Sequence, residues 1–320
     1  MAERAFITGG AGFVGSNLAE SLCARGDDVT VYDNLTLGRR EHIAHLEANS
    51  GLSFIEADLL DLSTLVEAMA GHDVVWHLAA NSDIAEGAKQ TDRDLKMGTM
   101  ATYNTLEAMR LTGCKQLVFA STSAIYGEAK IMPTSENYGP LLPISLYGAS
   151  KLACEGLITA FCHNYDMQAW MCRFGNVVGD NGTHGALYDF LCRLKDDSSK
   201  LRVLGDGRQA KPYLYVKDLV EGMQFIRQNT KDEVNVFNLA SEGATTVTRI
   251  AQAAIKALLG DADVKIEFTG GARGWKGDVP QVRLDPSALA SVGWQTAYGS
   301  DEAVDVAARA LAAQIAGGRR

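Results

Sequence analysis

The sequence predicts an α/β protein built on a doubly wound parallel sheet, with a smaller α/β lobe after it. Three observations support this prediction. Strand-like apolar runs alternate with helical runs as far as Phe174, which is typical of a parallel sheet with helices on both faces. A glycine-rich turn at residues 9–15 joins the first strand to the first helix. An acidic residue, Asp33, ends the second strand.

The composition excludes several classes of partner. The chain has 320 residues, a formal net charge of −9 and a mean hydropathy of −0.05, as an ordinary globular protein has. Its acidic balance argues against nucleic acid or an anionic membrane as the main partner. The six cysteines show no Cys-x-x-Cys spacing, so a metal site has no support and free thiols in a reducing cytoplasm are favoured. The first strand begins almost at once and no apolar run approaches the ~18 residues of a membrane span, so we expect a cytoplasmic protein.

The first strand, residues 5–8, runs into the glycine turn and then into a helix. Glycines permit a tight turn and bring the backbone N–H groups of the helix start close to a pyrophosphate. This order is the fingerprint of a Rossmann-type dinucleotide site. Asp33 follows about 20 residues later, where a carboxylate binds the adenosine ribose and repels a 2′-phosphate, which favours NAD over NADP. Arg39 and Arg40 come next, either as part of a solvated loop or as contacts to a 2′-phosphate.

Two further strands continue the alternation. The third, residues 53–56, leads to Asp58 and Leu59, and Asp58 either reaches the adenine or caps the following helix, residues 63–69. The fourth, residues 74–77, ends in a loop of small residues at positions 78–82. Ligands of doubly wound sheets bind at the carboxyl ends of the strands, so this loop is expected to face the cofactor. His77 has no metal-spaced partner and is expected to brace the core or this loop.

The chemistry is expected at the end of the fifth strand, residues 117–120, and in the helix that follows. Thr122 supplies a hydroxyl at the strand end, and Tyr147 and Lys151 are four residues apart, which places them on one helix face. A unit positive charge about 4 Å from a phenol, at an effective dielectric constant near 20, favours the phenolate by roughly 4 kcal/mol, or about three pKa units. We therefore expect Lys151 to lower the pKa of Tyr147 into the range of a general base. The alternative for the pair is an ordinary solvated helix face.

The alternation of strands and helices becomes less regular after a sixth strand at residues 169–174. A short helix at 187–194 and a strand at 201–204 follow, and an apolar strand at 234–239 is expected to return to the sheet. A helix at 247–259, a strand at 264–268 and a helix at 302–315 are assigned to the second lobe. The predicted domains are residues 1–176 with a return segment at about 212–240, and a lobe of residues 177–211 and 241–320.

Together these motifs resemble the extended short-chain dehydrogenase/reductase family, in particular nucleotide-sugar epimerases of the UDP-galactose 4-epimerase type. The resemblance covers nearly the whole chain, and the glycine turn, the strand end at residues 121–127 and the Tyr147–Lys151 pair carry most of it. It implies that the cofactor is NAD. The cofactor-binding residues implied are Gly9, Gly12, Phe13, Val14, Gly15, Asp33, Asn34, Asp58, Leu59, Leu78, Ala79, Ala80, Tyr147 and Lys151.

The resemblance also implies the epimerisation of a nucleotide-diphosphate sugar at C4. Tyr147 would take a proton from the sugar hydroxyl while the adjacent carbon gives a hydride to NAD. Lys151 would bind the nicotinamide ribose, and Thr122 would hydrogen-bond the reacting oxygen. The transient 4-keto sugar would turn over and take the hydride back on its other face, with no net redox change.

Other functions were weighed against this one. Related dehydratases carry Asp-Glu, and related decarboxylases tend to carry Glu, where this chain has Ser123 and Ala124, so epimerisation is favoured. A nucleotide-4-keto-sugar reductase or dehydrogenase is the alternative, and it would exchange its cofactor. A non-catalytic NAD-sensing protein would have no need of Thr122, Tyr147 and Lys151 together.

By the same resemblance, substrate contacts fall in both parts of the chain. Asn176, Arg208 or Lys211, and Arg273 would hold the diphosphate, with Lys276 competing for the role of Arg273. The substrate-binding residues implied are Ser82, Thr122, Ser123, Tyr147, Asn176, Leu187, Val203, Leu204, Arg208, Lys211, Tyr213 and Arg273.

The chain departs from the family pattern at three places. Gly98 stands where the family has asparagine, Lys211-Pro212 where it has Arg-Asp, and Asp180 where proline follows glycine. Nucleotide and sugar identity are therefore left open. The family also implies a homodimer, which would form through helices at residues 147–164 and 95–110.

Overall fold

The computed structural model describes residues 2–47, 51–271 and 282–317. The chain divides into two compact units. The first comprises Met1–Gly127, Glu136–Phe174 and Met223–Asn238, and the second comprises Glu128–Ser135, Gly175–Gly222 and Leu239–Arg320. The domains given above stay a prediction, since a division by packing assigns no ligand to either unit.

The strands, in chain order, are β1 (Arg4–Thr8), β2 (Asp28–Asp33), β3 (Leu52–Glu56), β4 (Val74–His77), β5 (Gln116–Thr122), β6 (Gln168–Phe174), β7 (Asn176–Val178), β8 (Lys200–Val203), β9 (Ala210–Lys211), β10 (Tyr213–Tyr215), β11 (Val234–Leu239), β12 (Thr245–Thr246) and β13 (Lys265–Phe268).

The α-helices are α1 (Phe13–Arg25), α2 (Leu62–Met69), α3 (Ile84–Lys89), α4 (Ala101–Thr112), α5 (Leu146–Tyr165), α6 (Ala186–Asp196), α7 (Val216–Asn229), α8 (Val247–Leu259), α9 (Ser287–Ser291) and α10 (Ser300–Ala316). Shorter 3₁₀ segments lie at Arg40–His42, Ala44–Leu46 and Ser123–Tyr126, and a π-helical turn at Leu95–Met100 precedes α4.

Seven strands form one sheet in the order β11-β6-β5-β4-β1-β2-β3. The neighbouring strands from β6 across to β3 all pair in parallel. The doubly wound sheet is therefore confirmed, and so is the return of the strand near residues 234–239. The strand order reverses between β1 and β4, where Thr8 pairs with His77. In doubly wound sheets this switch point opens the crevice in which nucleotides bind.

One hydrophobic core of the first unit lies between the sheet and helices α2, α4 and α5. Phe6, Val75 and Phe119 from the strands pack there with Leu106 of α4 and Ile158 of α5. Each of these side chains is at most 1% exposed. This packing holds α5, the helix that carries Tyr147, against β5.

The second unit is built from short strand pairs and three longer helices. In parallel pairs, β7 lies beside β10 and β8 beside β13, and β9 pairs with β12 in antiparallel fashion. Helix α8 packs against α6 and α10. The predicted strand near residues 264–268 and the predicted C-terminal helix are confirmed as β13 and α10.

Two further features of the described residues concern membrane-spanning helices and the state of the cysteines. Among the helices of the described residues, none combines the length and the apolar character needed to cross a bilayer. All six cysteines are free thiols, and Cys192 alone of the six is not buried.

Candidate functional site

The glycine turn packs more closely than a side chain would allow. Gly9 adopts a φ of +71°, and a Cβ there would lie 2.8 Å from the backbone of Ala79. A Cβ on Gly15 would lie 2.2 Å from the carbonyl oxygen of Gly9. Glycine is therefore required at both positions. The close approach of helix, turn and strand is the geometry that a dinucleotide pyrophosphate needs.

Helix α1 begins directly after this turn. Gly12 is its N-cap, and because glycine has no side chain it offers no cap to the first N–H groups. Such N–H groups lack acceptors within the helix and attract an anion. Phe13, Val14 and Gly15 form the first turn. The predicted cofactor-binding residues of this segment thus lie where a pyrophosphate would bind, and the cradle fits NAD.

Asp33 ends β2 with its carboxylate held by two backbone groups. Oδ2 accepts a hydrogen bond from the N–H of Ala11 at 3.0 Å, and Oδ1 accepts one from the N–H of Leu35 at 2.8 Å. Burial raises the pKa of Asp33, and these two N–H donors oppose that shift. A Cβ on Gly38 would lie 2.7 Å from both carboxylate oxygens. The carboxylate is therefore fixed in place at the edge where the ribose hydroxyls are expected.

Arg40 is paired, which argues against a 2′-phosphate contact. Its Nε lies 2.9 Å from Oε1 of Glu47, and its guanidinium carbon lies 4.8 Å from the ring centroid of Phe54. The pair is exposed, so it is a weak restraint. Arg39 contributes its backbone N–H to the carbonyl oxygen of Ala11 at 2.9 Å. Neither arginine changes the preference for NAD that Asp33 gives.

Asn34 and Asp58 meet across neighbouring strand ends. Nδ2 of Asn34 donates to Oδ2 of Asp58 at 3.0 Å. The cap of α2 is Asp61, whose carboxylate accepts from the N–H of Thr64, so the alternative that Asp58 caps this helix is wrong. Leu59 is buried beside them. The contact of Asp58 with the adenine stays a prediction.

The loop after β4 is braced by a fully buried histidine. His77 lies between the hydroxyls of Thr8, at 2.7 Å from Nδ1, and Thr102, at 3.0 Å from Nε2. Burial lowers the pKa of His77 to about 3, with a smaller effect from Lys151, so the ring is neutral. The Thr8 hydroxyl also accepts from the N–H of Ala79 at 3.4 Å. The predicted bracing role of His77 agrees with these bonds, which place residues 78–80 beside the glycine turn.

Tyr147 enters the site from the first turn of α5. Ser145 caps this helix, accepting a hydrogen bond from the N–H of Gly148 at 3.0 Å. Burial raises the pKa of Tyr147 to about 12, and a hydrogen bond with Thr122 opposes the shift. The Thr122 hydroxyl also accepts from the N–H of Ala124 at 3.2 Å. The sequence-predicted Thr122 and Tyr147 are therefore in direct contact.

Lys151 lies one turn further along α5, and it is 3% exposed. Its Nζ donates to the carbonyl oxygen of Ala120 at 2.6 Å and lies 4.5 Å from the ring centroid of Phe119. Burial lowers the pKa of Lys151 to about 8, while Cys154 and then Glu155 raise it. The ammonium is thus close to its titration point near neutral pH.

The structure corrects the expected electrostatics of this pair. Lys151 was expected to lower the pKa of Tyr147 toward neutrality, yet the pKa of Tyr147 is raised. The reason is that desolvation disfavours the charged form of each group, Lys151 being buried and Tyr147 half-buried. The ammonium is also directed to the carbonyl oxygen of Ala120. The Thr122 hydroxyl, not Lys151, is the group that lowers the pKa of the phenol.

The predicted substrate residues fall into two groups. Ser82, Thr122, Ser123 and Tyr147 belong to the first unit, where Ser82 is exposed and Ser123 is half-buried. The others described belong to the second unit: Asn176 in β7, Leu187 in α6, Val203 ending β8, Leu204 and Arg208 in the following turn, Lys211 in β9 and Tyr213 in β10. Arg273 and Lys276 lie outside the described residues.

Sequence reasoning missed a buried ion pair behind the strand end. Nη2 of Arg173 lies 2.7 Å from Oε2 of Glu155, and the two side chains are 7% and 6% exposed. Glu155 follows Lys151 by four residues, on the inward face of α5. A glutamate on a buried helix face and an arginine in an apolar strand were the available signals. Their pairing depends on how α5 meets β6.

Known proteins resemble most of the chain. A family model described as "NAD dependent epimerase/dehydratase family" matches residues 5–240. The UDP-glucose 4-epimerase of Corynebacterium glutamicum is 30% identical over 261 residues, which cover 77% of this chain and 78% of that protein. The UDP-N-acetyl-alpha-D-glucosaminuronate decarboxylase of Bacillus cytotoxicus is 32% identical over 264 residues, 79% of each chain.

A solved structure extends the similarity to nearly every residue. The crystal structure of a UDP-galactose 4-epimerase superposes with a TM-score of 0.85 and 34% identity. The match covers 98% of this chain and 99% of that one. The chain is therefore similar to epimerases and to a decarboxylase.

Proposed function

Because the chain belongs to the NAD dependent epimerase/dehydratase family, we propose that it epimerises a nucleotide-diphosphate sugar at C4. The resemblance to extended short-chain dehydrogenases, and to their nucleotide-sugar epimerases in particular, is confirmed. The cofactor is NAD, which supplies a hydride acceptor when bound. The residues that would hold it are those of the glycine turn, Asp33, and the loop after β4.

The sequence after Thr122 supports epimerisation over the other reactions of the family. Ser123 and Ala124 occupy the positions where an acid or base would be needed for elimination, and neither titrates. Glu155, one turn beyond Lys151, is held by Arg173 and is unavailable for that work. The non-titrating side chains of Ser123 and Ala124, directly after Thr122, are the observation that carries the proposal.

Tyr147 is proposed to exchange a proton with the sugar oxygen at C4. Its hydroxyl is bonded to Thr122, so the same threonine can hydrogen-bond the reacting oxygen and orient it. The proposed roles are therefore Tyr147 as general base and acid, and Thr122 as the hydrogen-bonding partner.

Lys151 is proposed to bind the nicotinamide ribose. A pKa of about 8 leaves most of its ammonium charged at pH 7. The ammonium can donate hydrogen bonds to the ribose hydroxyls.

The second unit is proposed to bind the nucleotide diphosphate. An acidic chain needs local donors for two phosphates, and Asn176, Arg208 or Lys211 are the described residues assigned to this role. Arg273 and Lys276 remain competing predictions for the same role. The nucleotides named in the related proteins favour a uridine diphosphate.

A homodimer is proposed through the face of α4 and the turn before it. Leu95, Met100, Tyr103 and Leu111 are between 40% and 54% exposed there. Met100, Tyr103 and Leu111 share one helical face by their spacing. Exposed apolar side chains at helical spacing are typical of a helix-to-helix interface. Light scattering at micromolar concentration should give twice the mass of the chain, and a monomer would contradict this proposal.

The function is tested by incubating the purified protein with UDP-glucose, UDP-galactose, their N-acetyl forms and UDP-glucuronate, with no added NAD. Proton NMR distinguishes the two configurations at C4. We expect interconversion of at least one pair without release of CO₂. Formation of a pentose nucleotide would assign decarboxylation instead, and a requirement for added NADH would favour a 4-keto-sugar reductase.

A further inference from the structure

A buried charged network lies directly behind the strand end that carries Thr122. Arg173 of β6 binds Glu155 of α5 through two bonds, from Nη2 to Oε2 at 2.7 Å and from Nε to Oε1 at 2.9 Å. Burying two charges costs desolvation, so such a pair contributes little to stability compared with apolar packing. Its presence at this depth points to a requirement for position rather than for stability.

The pair holds α5 to β5 immediately before Thr122. The hydroxyl of Ser121 donates to Oε1 of Glu155 at 2.5 Å, and Nζ of Lys151 donates to the carbonyl oxygen of Ala120 at 2.6 Å. Two successive turns of α5 therefore hold two successive residues of β5. This sets how far Thr122 on the strand lies from Tyr147 on the helix.

The same arginine also holds the segment after Thr122. Nη1 of Arg173 donates to the hydroxyl of Tyr126 and to the carbonyl oxygen of Glu136, both at 3.0 Å. The Tyr126 hydroxyl donates in turn to Oδ1 of Asn238 in β11 at 2.8 Å. Tyr126 ends the 3₁₀ segment that begins at Ser123. Both sides of Thr122 are thus held by one network, made of Ser121, Tyr126, Glu155 and Arg173.

We propose that Glu155 and Arg173 are positioning residues for the reaction: they set the distance between Thr122 and Tyr147, and the Glu155 carboxylate, one helical turn from Lys151, stabilises its ammonium. This inference rests on the proposed function for its kinetic part. Neither residue contacts the reacting atoms in this assignment, and each acts through Thr122, Tyr147 or Lys151. The network would matter for the rate of proton transfer more than for substrate binding.

The surroundings of Lys151 leave few groups to stabilise its charge. Cys154 and Glu155 raise the pKa of Lys151 against the larger effect of burial, which lowers it. His77 is neutral, and Phe119 offers only its ring face. The charge of Arg173 opposes that of Glu155. Removing the carboxylate therefore removes a stabilising charge and leaves the opposing one.

Three variants separate the two roles. Glu155→Gln keeps the length of the side chain and removes its charge, whereas Glu155→Asp keeps the charge and shortens the chain by one methylene. The double variant Glu155→Gln/Arg173→Met buries no unpaired charge and should fold where the single glutamine variant does not. Asp73→Asn, in an exposed pair with Arg4, is the matched control.

The first measurement needs no substrate. The titration of Lys151 is followed by NMR in protein labelled with ¹³C-lysine, and Lys151→Met assigns the signal. We expect the pKa to fall in Glu155→Gln and to stay within the wild-type range in Glu155→Asp and Asp73→Asn. An unchanged titration in Glu155→Gln would overturn the electrostatic role, whatever reaction the protein catalyses.

The second measurement is the rate of nucleotide-sugar interconversion. We expect kcat to fall by about 10- to 100-fold in Glu155→Asp and in the double variant, since small displacements of reacting groups cost this much. In both variants KM and the amount of bound NAD should stay close to wild type. In the control, Asp73→Asn, kcat, KM and bound NAD should all stay close to wild type. A kcat within threefold of wild type in both variants would overturn the geometric role. Absence of activity in the wild type itself would instead contradict the proposed function.

Discussion

Two buried cations lie within one small region of the first unit, and their environments differ in one respect. Lys151 and Arg173 are 3% and 6% exposed. Arg173 has a carboxylate partner, Glu155, and its pKa is raised despite the opposing effect of burial. Lys151 has a carbonyl oxygen as its hydrogen-bond acceptor, and burial lowers its pKa to about 8.

This contrast separates a buried charge with a structural role from one that can take part in the reaction. A paired guanidinium stays charged at every accessible pH, so it can hold other groups in place but cannot respond to them. An ammonium without a carboxylate in contact is poised near its titration point. Such a group is sensitive to the charge of a neighbouring phenol or ligand. Arg173 is therefore assigned to positioning, and the groups around Lys151 to the reaction.

The greatest change in kcat is expected for substitution of Tyr147. Tyr147→Phe removes only the phenolic oxygen, so the ring still packs and the fold should survive. If Tyr147 transfers the proton, kcat should fall by about 10²–10⁴-fold with little change in KM. Steady-state kinetics on the interconverted pair measures this, with Tyr165→Phe at the exposed end of α5 as the control. Retention of more than about a tenth of wild-type kcat would remove Tyr147 from its assigned role.

The next prediction concerns Arg173 and the free energy of unfolding. Arg173→Met leaves the Glu155 carboxylate buried without its partner, and we expect a loss of about 3–5 kcal/mol in the free energy of unfolding. Denaturant unfolding measures the loss. Arg4→Met, which breaks an exposed pair with Asp73, should change stability little. Equal losses of stability in Arg173→Met and Arg4→Met would contradict the claim that breaking the buried pair costs more than breaking the exposed one.

Lys151→Met is expected to lose activity without losing stability. The pKa of Lys151 falls from 10.5 to about 8, so its charge costs the fold about 3 kcal/mol at pH 7, at 1.36 kcal/mol for each pKa unit. Removing the amine also leaves the carbonyl oxygen of Ala120 without this donor, a loss of about 1–3 kcal/mol. The variant should therefore be no less stable than wild type while losing activity. A destabilised variant would show that Lys151 is structural, like Arg173.

The same variant has a defined pH dependence. Between about pH 8 and pH 10.5 the unfolded chain binds more protons at this lysine than the native chain, so this residue adds stability as pH rises. Across this window the free energy of unfolding of the wild type should rise by about 3 kcal/mol relative to that of Lys151→Met. Comparing the two proteins cancels the other titrating groups. A constant difference between pH 7 and pH 10 would contradict the lowered pKa.

The smallest effect tests the nucleotide edge of the sheet. Asp33→Ala removes the carboxylate that two backbone N–H groups hold in place. Loss of a hydrogen-bonded charged group costs about 1.5–3 kcal/mol, so NAD retention after dialysis should drop by roughly tenfold or more. Asp61→Ala, at the exposed cap of α2, should leave NAD content unchanged. Full retention in Asp33→Ala would contradict the assigned ribose contact.

The sequence predicted the sheet and the positions of its ligand-facing turns because both depend on local pattern. The glycine turn follows β1, and Asp33 and Thr122 are the last residues of β2 and β5, so the strand order places all three. The Tyr147–Lys151 pair was also local, since four residues span one helical turn.

What sequence reasoning missed depends on contacts between distant segments. The lowered pKa of Lys151 depends on its burial, and its Nζ contacts the carbonyl oxygen of Ala120, 31 residues away along the chain. The Glu155–Arg173 pair joins a helix to the next strand, and the cap of α2 falls on Asp61 instead of Asp58 because of where the helix begins. No spacing rule reports any of these contacts.

In the proposed reaction a hydride leaves C4 and returns to the same carbon without net redox change. The direct test uses a nucleotide sugar that interconverts in the panel, labelled with deuterium at C4, in ordinary water and without added NAD. We predict that the product has the opposite configuration at C4 and keeps the deuterium there. Loss of the label to solvent, or turnover only when free cofactor is added, would contradict the account.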